Sequence, residues 1–146
     1  MAINYPPLGF YFRVNFQLGG AGDTDAAFQE VNGFTSELLT EELRQGGENR
    51  FSQVLPTRAK YSDLVLKRGL ITNSAVVRWC RAAIENLDIQ PITVTVTLLN
   101  EKNTPLQTYN IVKAWPKKWA VSDFNAQESK IVVETMELSY QYFRVS

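Results

Sequence analysis

The side chains that could do chemistry are few and poorly placed for it. The 146 residues include no histidine, which removes the Ser-His-Asp and Cys-His nucleophilic arrangements and every imidazole-ligated metal site. The one cysteine, Cys80, allows neither an intrachain disulfide nor a cysteine-rich zinc site; on a helix's apolar stripe it reads as a small hydrophobe. Among carboxylates, Glu41-Glu42 and the Glu134/Glu137 pair stand out. Adjacent or alternate-face positions on extended chain do not converge on one substrate atom. Asp23-Thr24-Asp25 lacks the ligand count of a calcium loop. Neither Gly19-Gly20 nor Gly46-Gly47 leads into Lys-Ser/Thr at phosphate-loop spacing. Trp115, Lys117, Lys118 and Trp119 bring rings and cations together, the ingredients of base stacking with phosphate contact. Yet Lys+Arg and Asp+Glu both number 15, a formal net charge of +0, and nucleic-acid binding needs a basic surplus to displace counterions. Core anchoring is the simpler reading of that cluster. No catalytic, cofactor-binding or metal-binding residue is assigned.

The elements that would have to position such groups are mostly strands. Hydrophobic residues make up 45% and charged residues 21% of the chain, enough apolar surface for one core at this length. In residues 9–18, Phe10, Phe12, Val14, Phe16 and Leu18 alternate with Tyr11, Arg13, Asn15 and Gln17, the period of a half-buried strand. A second extended stretch runs from Ala26 to about Leu39, bent at Asn32-Gly33. Ile92, Val94, Val96 and Leu98 alternate with Thr93, Thr95 and Thr97; a turn at 100–103 returns the chain as Leu106 to Trp115. A last strand is expected over Lys130 to Val145, with a bulge, or burial of both faces, near Ile131-Val132-Val133. One helix is expected over Ser74 to Leu87: Val76, Cys80, Ala83, Ile84 and Leu87 form its apolar stripe, and Arg78, Arg81 and Glu85 its wet one. Pro91 prevents continuation. The fold class is mainly β, an antiparallel sandwich or barrel with one flanking helix, in a single domain over 1–146.

Thr40 to Arg58 breaks the pattern. It shows no clean period, a Gly46-Gly47 hinge, charges of both signs, and the apolar Phe51, Val54 and Leu55. A loop this long is usually functional or mobile. It either folds back on its own domain or finishes folding against another subunit. The zero net charge leaves no mutual repulsion between copies. The N-terminal residues lack the basic start and apolar run of a signal peptide, and no stretch approaches the length of a membrane-spanning helix. The expectation is synthesis in the cytosol and no membrane insertion.

Four motifs in order resemble one family. Lys60 to Leu70 (KYSDLVLKRGL) precedes the helix; Phe28 to Phe34 (FQEVNGF) lies upstream, followed by Gly46-Gly47 and then Phe51 to Pro56. Lys113 to Trp119 (KAWPKKW) and Val132 to Val145 (VVETMELSYQYFRV) lie downstream. Together they resemble the tail-tube proteins of contractile phage tails and related injection systems. The resemblance implies a structural subunit that joins five copies of itself into a hexameric ring. Rings stack into a tube inside a contractile sheath, with the inner sheets lining a channel for DNA or effectors. It further implies sheath, baseplate and tube-capping partners, channel cargo, no cofactor, and assembly in the bacterial cytoplasm before the subunit reaches a tail or tail-like particle.

Within that picture, Asp63, Glu134, Glu137, Ser139 and Gln141 are candidate channel-facing residues, and Arg78, Arg81 and Glu85 candidate sheath-facing ones. The loop at about 40–58, through Glu48, Arg50, Phe51, Val54, Leu55 and Arg58, is the candidate inter-ring contact. Two other readings stay open: a monomeric β-barrel for a small apolar ligand, and a secreted ring-forming effector carrier.

Overall fold

A computed structural model describes residues 11–18, 28–44, 52–71, 74–127 and 131–146. The elements are β1 (Tyr11–Phe16), β2 (Glu30–Asn32), β3 (Ser36–Arg44), β4 (Ser52–Tyr61), β5 (Leu64–Gly69), α1 (Ala75–Asn86), β6 (Ile92–Leu99), β7 (Pro105–Val121), β8 (Val133–Ser139) and β9 (Tyr142–Val145). Seven strands follow the path β1-β6-β7-β8-β5-β2, with β9 also on β7, and every pairing is antiparallel.

β7 joins two layers. Its first half pairs with β6 and β9, and its second half, from Trp115, pairs with β8. Register shifts between Ile92 and Val94 and between Pro116 and Lys118 flank the crossing, where Lys113 adopts a left-handed φ of 55°. Bulges bend a strand and sharpen its twist, which lets one strand serve both layers. The expected strand ending at Trp115 therefore continues through Lys117-Lys118. The last strand is likewise divided: β8 and β9 separate at Tyr140-Gln141, downstream of the expected bulge, because each pairs with a different half of β7.

Alternation decides what is inside. Val14 and Phe16 of β1, Val94 and Val96 of β6 and Ile111 of β7 meet Leu64, Leu66, Met136 and Leu138 of the other layer in one core. α1 covers it with Val76, Trp79 and Cys80. Trp79 belongs to the stripe that spacing had assigned to Ile84 and Leu87, which are instead 46% and 81% exposed. The pattern i, i+3, i+4, i+7 from Val76 reaches Trp79, Cys80 and Ala83 and then leaves the core. The Trp79 Nε1–H donates to the Gln90 carbonyl (2.9 Å), and Leu87 closes the helix in the left-handed conformation (φ 56°).

The largest departure concerns the segment read as a loop. β3 and β4 form a two-stranded hairpin, Ser36 across from Tyr61 and Arg44 across from Ser52, with a bulge at Leu39/Thr40. No period-2 signal betrayed it because neither face packs on the core: the described residues along both strands are almost all exposed. Pro56 fits, since each strand of a hairpin has a free edge. A cluster of Phe34, Tyr61, Tyr109, Tyr140 and Phe143 lies at the hairpin's base, with ring centroids 4.4–6.2 Å apart. Just before it, Gly33 (φ 106°) lies so close to the Asp63 carbonyl that any Cβ would collide with it.

Candidate functional site

The hairpin is exposed along both strands. Among the described strands its two pair only with each other, and Leu38, Leu43, Val54 and Leu55 are 64%, 48%, 60% and 42% exposed. Side-chain alternation puts Glu37, Leu39, Glu41 and Leu43 on one face with Gln53, Leu55, Arg58 and Lys60. Of the predicted inter-ring residues, Val54, Leu55 and Arg58 lie exposed on β4. Glu48, Arg50 and Phe51 lie outside the described residues.

The predicted channel residues separate. Asp63, Glu137 and Ser139 sit half-buried on or beside the outer face of the β5–β8 layer. There Lys117 Nζ bonds Asp63 Oδ2 at 2.9 Å and Lys118 Nζ lies 3.9 Å from Glu137 Oε2. The Asp63 hydrogen bond and charge hold the Lys117 ammonium above its ordinary pKa. Gln141 is exposed at the break between β8 and β9, its backbone N–H bonded to the Val112 carbonyl (3.0 Å). Glu134 does not belong with them. It is 0% exposed and forms a charge-assisted hydrogen bond with Arg68, itself 1% exposed. The reason is parity: Glu134 shares a face with Met136 and Leu138, and Arg68 shares one with Leu64 and Leu66, so the pair meets in register across β5 and β8. That signal was present in the alternation of both strands.

Around this pair lies a polar node that spacing alone did not reveal. Arg68 donates to the Ser74 hydroxyl (2.7 Å), which accepts the Val77 N–H (3.3 Å) as the helix N-cap. The Arg68 guanidinium lies 4.8 Å from the Phe28 ring centroid, and Trp119 Nε1 is 3.4 Å from the second Glu134 oxygen. Burial, reinforced by the Glu134 charge, pushes the Cys80 thiol up to about 12. It therefore stays protonated and unreactive at neutral pH. Burial also raises Tyr140 to about 12, helped by the charge of Asp63, and no hydrogen-bond partner is present for its hydroxyl among the described residues.

Two further surfaces complete the molecule. The outer face of α1 carries Arg78, Arg81 and Glu85, all exposed, with Arg81 Nε 3.0 Å from Glu85 Oε1. The outer face of the β1-β6-β7-β9 layer is polar across its width: Arg13 faces Thr97 and Thr108, and Asn15 faces Thr95, Asn110 and Arg144 in register. Thr95 Oγ1 and Asn110 Oδ1 are 3.2 Å apart. Sequence alternation identified the threonines as outward-facing but did not assemble them into this four-stranded surface. Among the described residues, no group of three or more cysteine, aspartate or glutamate side chains is placed to hold a metal ion.

A chain in the six-fold symmetrised cryo-EM structure of the anti-feeding prophage baseplate superposes with a TM-score of 0.87 at 29% identity, covering 99% of this chain and 97% of that one. A chain in the sheath–tube complex of an extracellular contractile injection system, PVC, in the extended state superposes at 0.80 with 22% identity, covering 99% and 93%. Hcp1 from Flavobacterium johnsoniae shares the fold at 0.55 and 9% identity, covering 94% and 95%. Curated protein sequences give no match. The model of the T4-like virus tail tube protein gp19 matches residues 8–144. By that match, over nearly the whole β-rich chain and its unpartnered hairpin, the protein belongs to the T4-like virus tail tube family.

Proposed function

We propose that the chain is a structural, non-catalytic subunit whose hexameric rings stack into the inner tube of a contractile tail or injection system. The observation that carries this reading is the β3–β4 hairpin. A two-stranded hairpin alone in water is marginal, and this one exposes both edges, both faces and four large aliphatic side chains. A neighbouring subunit resolves each of those costs at once. Val54 and Leu55 of the hairpin, together with Phe51, reach the adjoining ring, and Glu48, Arg50 and Arg58 set the contact. Asp63, Glu137, Ser139 and Gln141 face the channel. The outer face of α1 meets the sheath, while baseplate and cap contact the tube ends and DNA or effectors travel inside. Assembly takes place in the bacterial cytoplasm.

A second reading is favoured by one observation: the anti-feeding prophage baseplate chain is 29% identical, the sheath–tube chain 22%. It makes this subunit the ring that joins baseplate to tube. Electron microscopy of the purified protein, alone and with its sheath and baseplate proteins, tests both. Long tubes of six-fold rings support the first reading, and rings found only on baseplates the second. A monomer at every concentration, with the hairpin amides protected from exchange, would overturn both.

A further inference from the structure

The two strands of the hairpin carry opposite charge. β3 bears Glu37, Glu41 and Glu42, with Arg44 at the tip end; β4 bears Arg58 and Lys60 and no acid. Glu37, Glu41, Arg58 and Lys60 share one face, all are exposed, and among the described residues none forms a salt bridge. Among the described residues, both outer edges are without a strand neighbour. Charges on an open edge can serve simply to repel other chains, but that purpose does not require the signs to be sorted by strand.

We infer that this sorting is a polarity code: the basic edge of β4 receives the acidic edge of β3 from the next copy of the chain, head to tail. The inference rests on the reading that copies of this chain assemble. An antiparallel continuation with Lys60 across from Glu37 of the next copy places Arg58 across from Leu39. Arg58 is then diagonal to Glu37 and Glu41, within reach of its long side chain. This repeats the register inside the hairpin, so the sheet continues without a change of face. A slip of one residue would put the acids and bases on opposite faces. Pro56 removes one backbone donor from β4, confining the pairing to the segment beyond it, where Arg58 and Lys60 lie. Pairing β3 with β3, or β4 with β4, sets like charges side by side and is disfavoured. The two-fold dimers that open edges invite are thus rejected. What remains is a heterologous contact, the kind that propagates openly from one copy to the next, here from ring to ring, where Arg58 is already placed.

The test exchanges the signs while keeping each hairpin internally complementary: Glu37→Lys, Glu41→Lys, Arg58→Glu and Lys60→Glu together. Full-length wild type and this swapped chain, each labelled with a different fluorophore, are assembled alone and as an equal mixture, then examined by electron microscopy and energy transfer. The swapped chain should assemble alone at a concentration within about threefold of wild type. In the mixture the two should segregate, because every mixed junction sets like charges together; co-assembly should fall at least about tenfold below random mixing. Random co-assembly would overturn the code while leaving the tube reading intact. So would a swapped chain that has the wild-type melting temperature but stays monomeric. Failure of wild type itself to assemble would overturn the tube reading and the code with it.

Discussion

Replacing Glu134 by Gln isolates the contribution of the buried pair. The substitution keeps the side chain's size but removes the charge and turns one of the two acceptor oxygens into an amide donor, leaving Arg68 at 1% exposure without the Glu134 carboxylate. Breaking a buried pair from one side costs about 3–5 kcal/mol, because the remaining charge is uncompensated. Arg68 would retain Ser74 at 2.7 Å and the Phe28 ring at 4.8 Å, so the lower end, about 3 kcal/mol, is expected. For a chain of this length each kcal/mol moves the midpoint by roughly 2–4 °C, giving a fall of roughly 6–12 °C. Circular dichroism melts of the unassembled subunit measure it, with urea titration as the independent check. The paired change Arg68→Met with Glu134→Leu should recover most of the loss, since apolar replacement of a whole buried pair is often neutral or stabilising. A Glu134→Gln midpoint within about 2 °C of wild type would refute the reasoning. It would mean that the other partners of Arg68, Ser74 and Phe28 among them, compensate its charge.

Replacing Glu48 to Leu55 by a short Gly-Ser linker should leave folded subunits and single rings but no long tubes by electron microscopy; tubes of normal length would remove the hairpin tip from ring stacking. Arg78→Glu with Arg81→Glu breaks, among others, the exposed Arg81–Glu85 pair, a contact worth less than about 1 kcal/mol. It should nevertheless impair sheath co-assembly in pull-downs, and unchanged co-assembly would count against a sheath-facing helix. Stability should decline as pH rises through about 9 to 12. The Cys80 thiol is held protonated in the fold up to about 12 but ionises near 9 once unfolded, so the unfolded chain binds fewer protons in that window. Urea midpoints at pH 8 and 10.5 should diverge for wild type and diverge less for Cys80→Ala, the remainder coming from Tyr140, which the fold also raises to about 12; an unchanged divergence would show that other groups govern the alkaline loss.

Much of this molecule is decided within short windows of sequence. Val94-Thr95-Val96-Thr97 alternates because one face of β6 meets the core and the other meets water. Ser74 caps α1 because its hydroxyl is placed to accept an N–H three residues on. The absence of histidine removes imidazole-based nucleophile and metal arrangements, and the balanced charge leaves no basic surplus for phosphates. The order of four motifs pointed to the family. Parity also placed Glu134 and Arg68 on the core face, although a charged residue invites an outward reading. Other features were settled only by contacts between distant segments. Whether Thr40–Arg58 forms a loop or a hairpin depends on pairing across a turn, and with both faces in water no hydrophobic period records it. The bend of β7 between layers, and the division of the last strand at Tyr140-Gln141, depend on which partner each half finds. Arg68 and Glu134 stand 66 residues apart in the chain, and only the register of β5 on β8 makes two buried charges into one neutral pair.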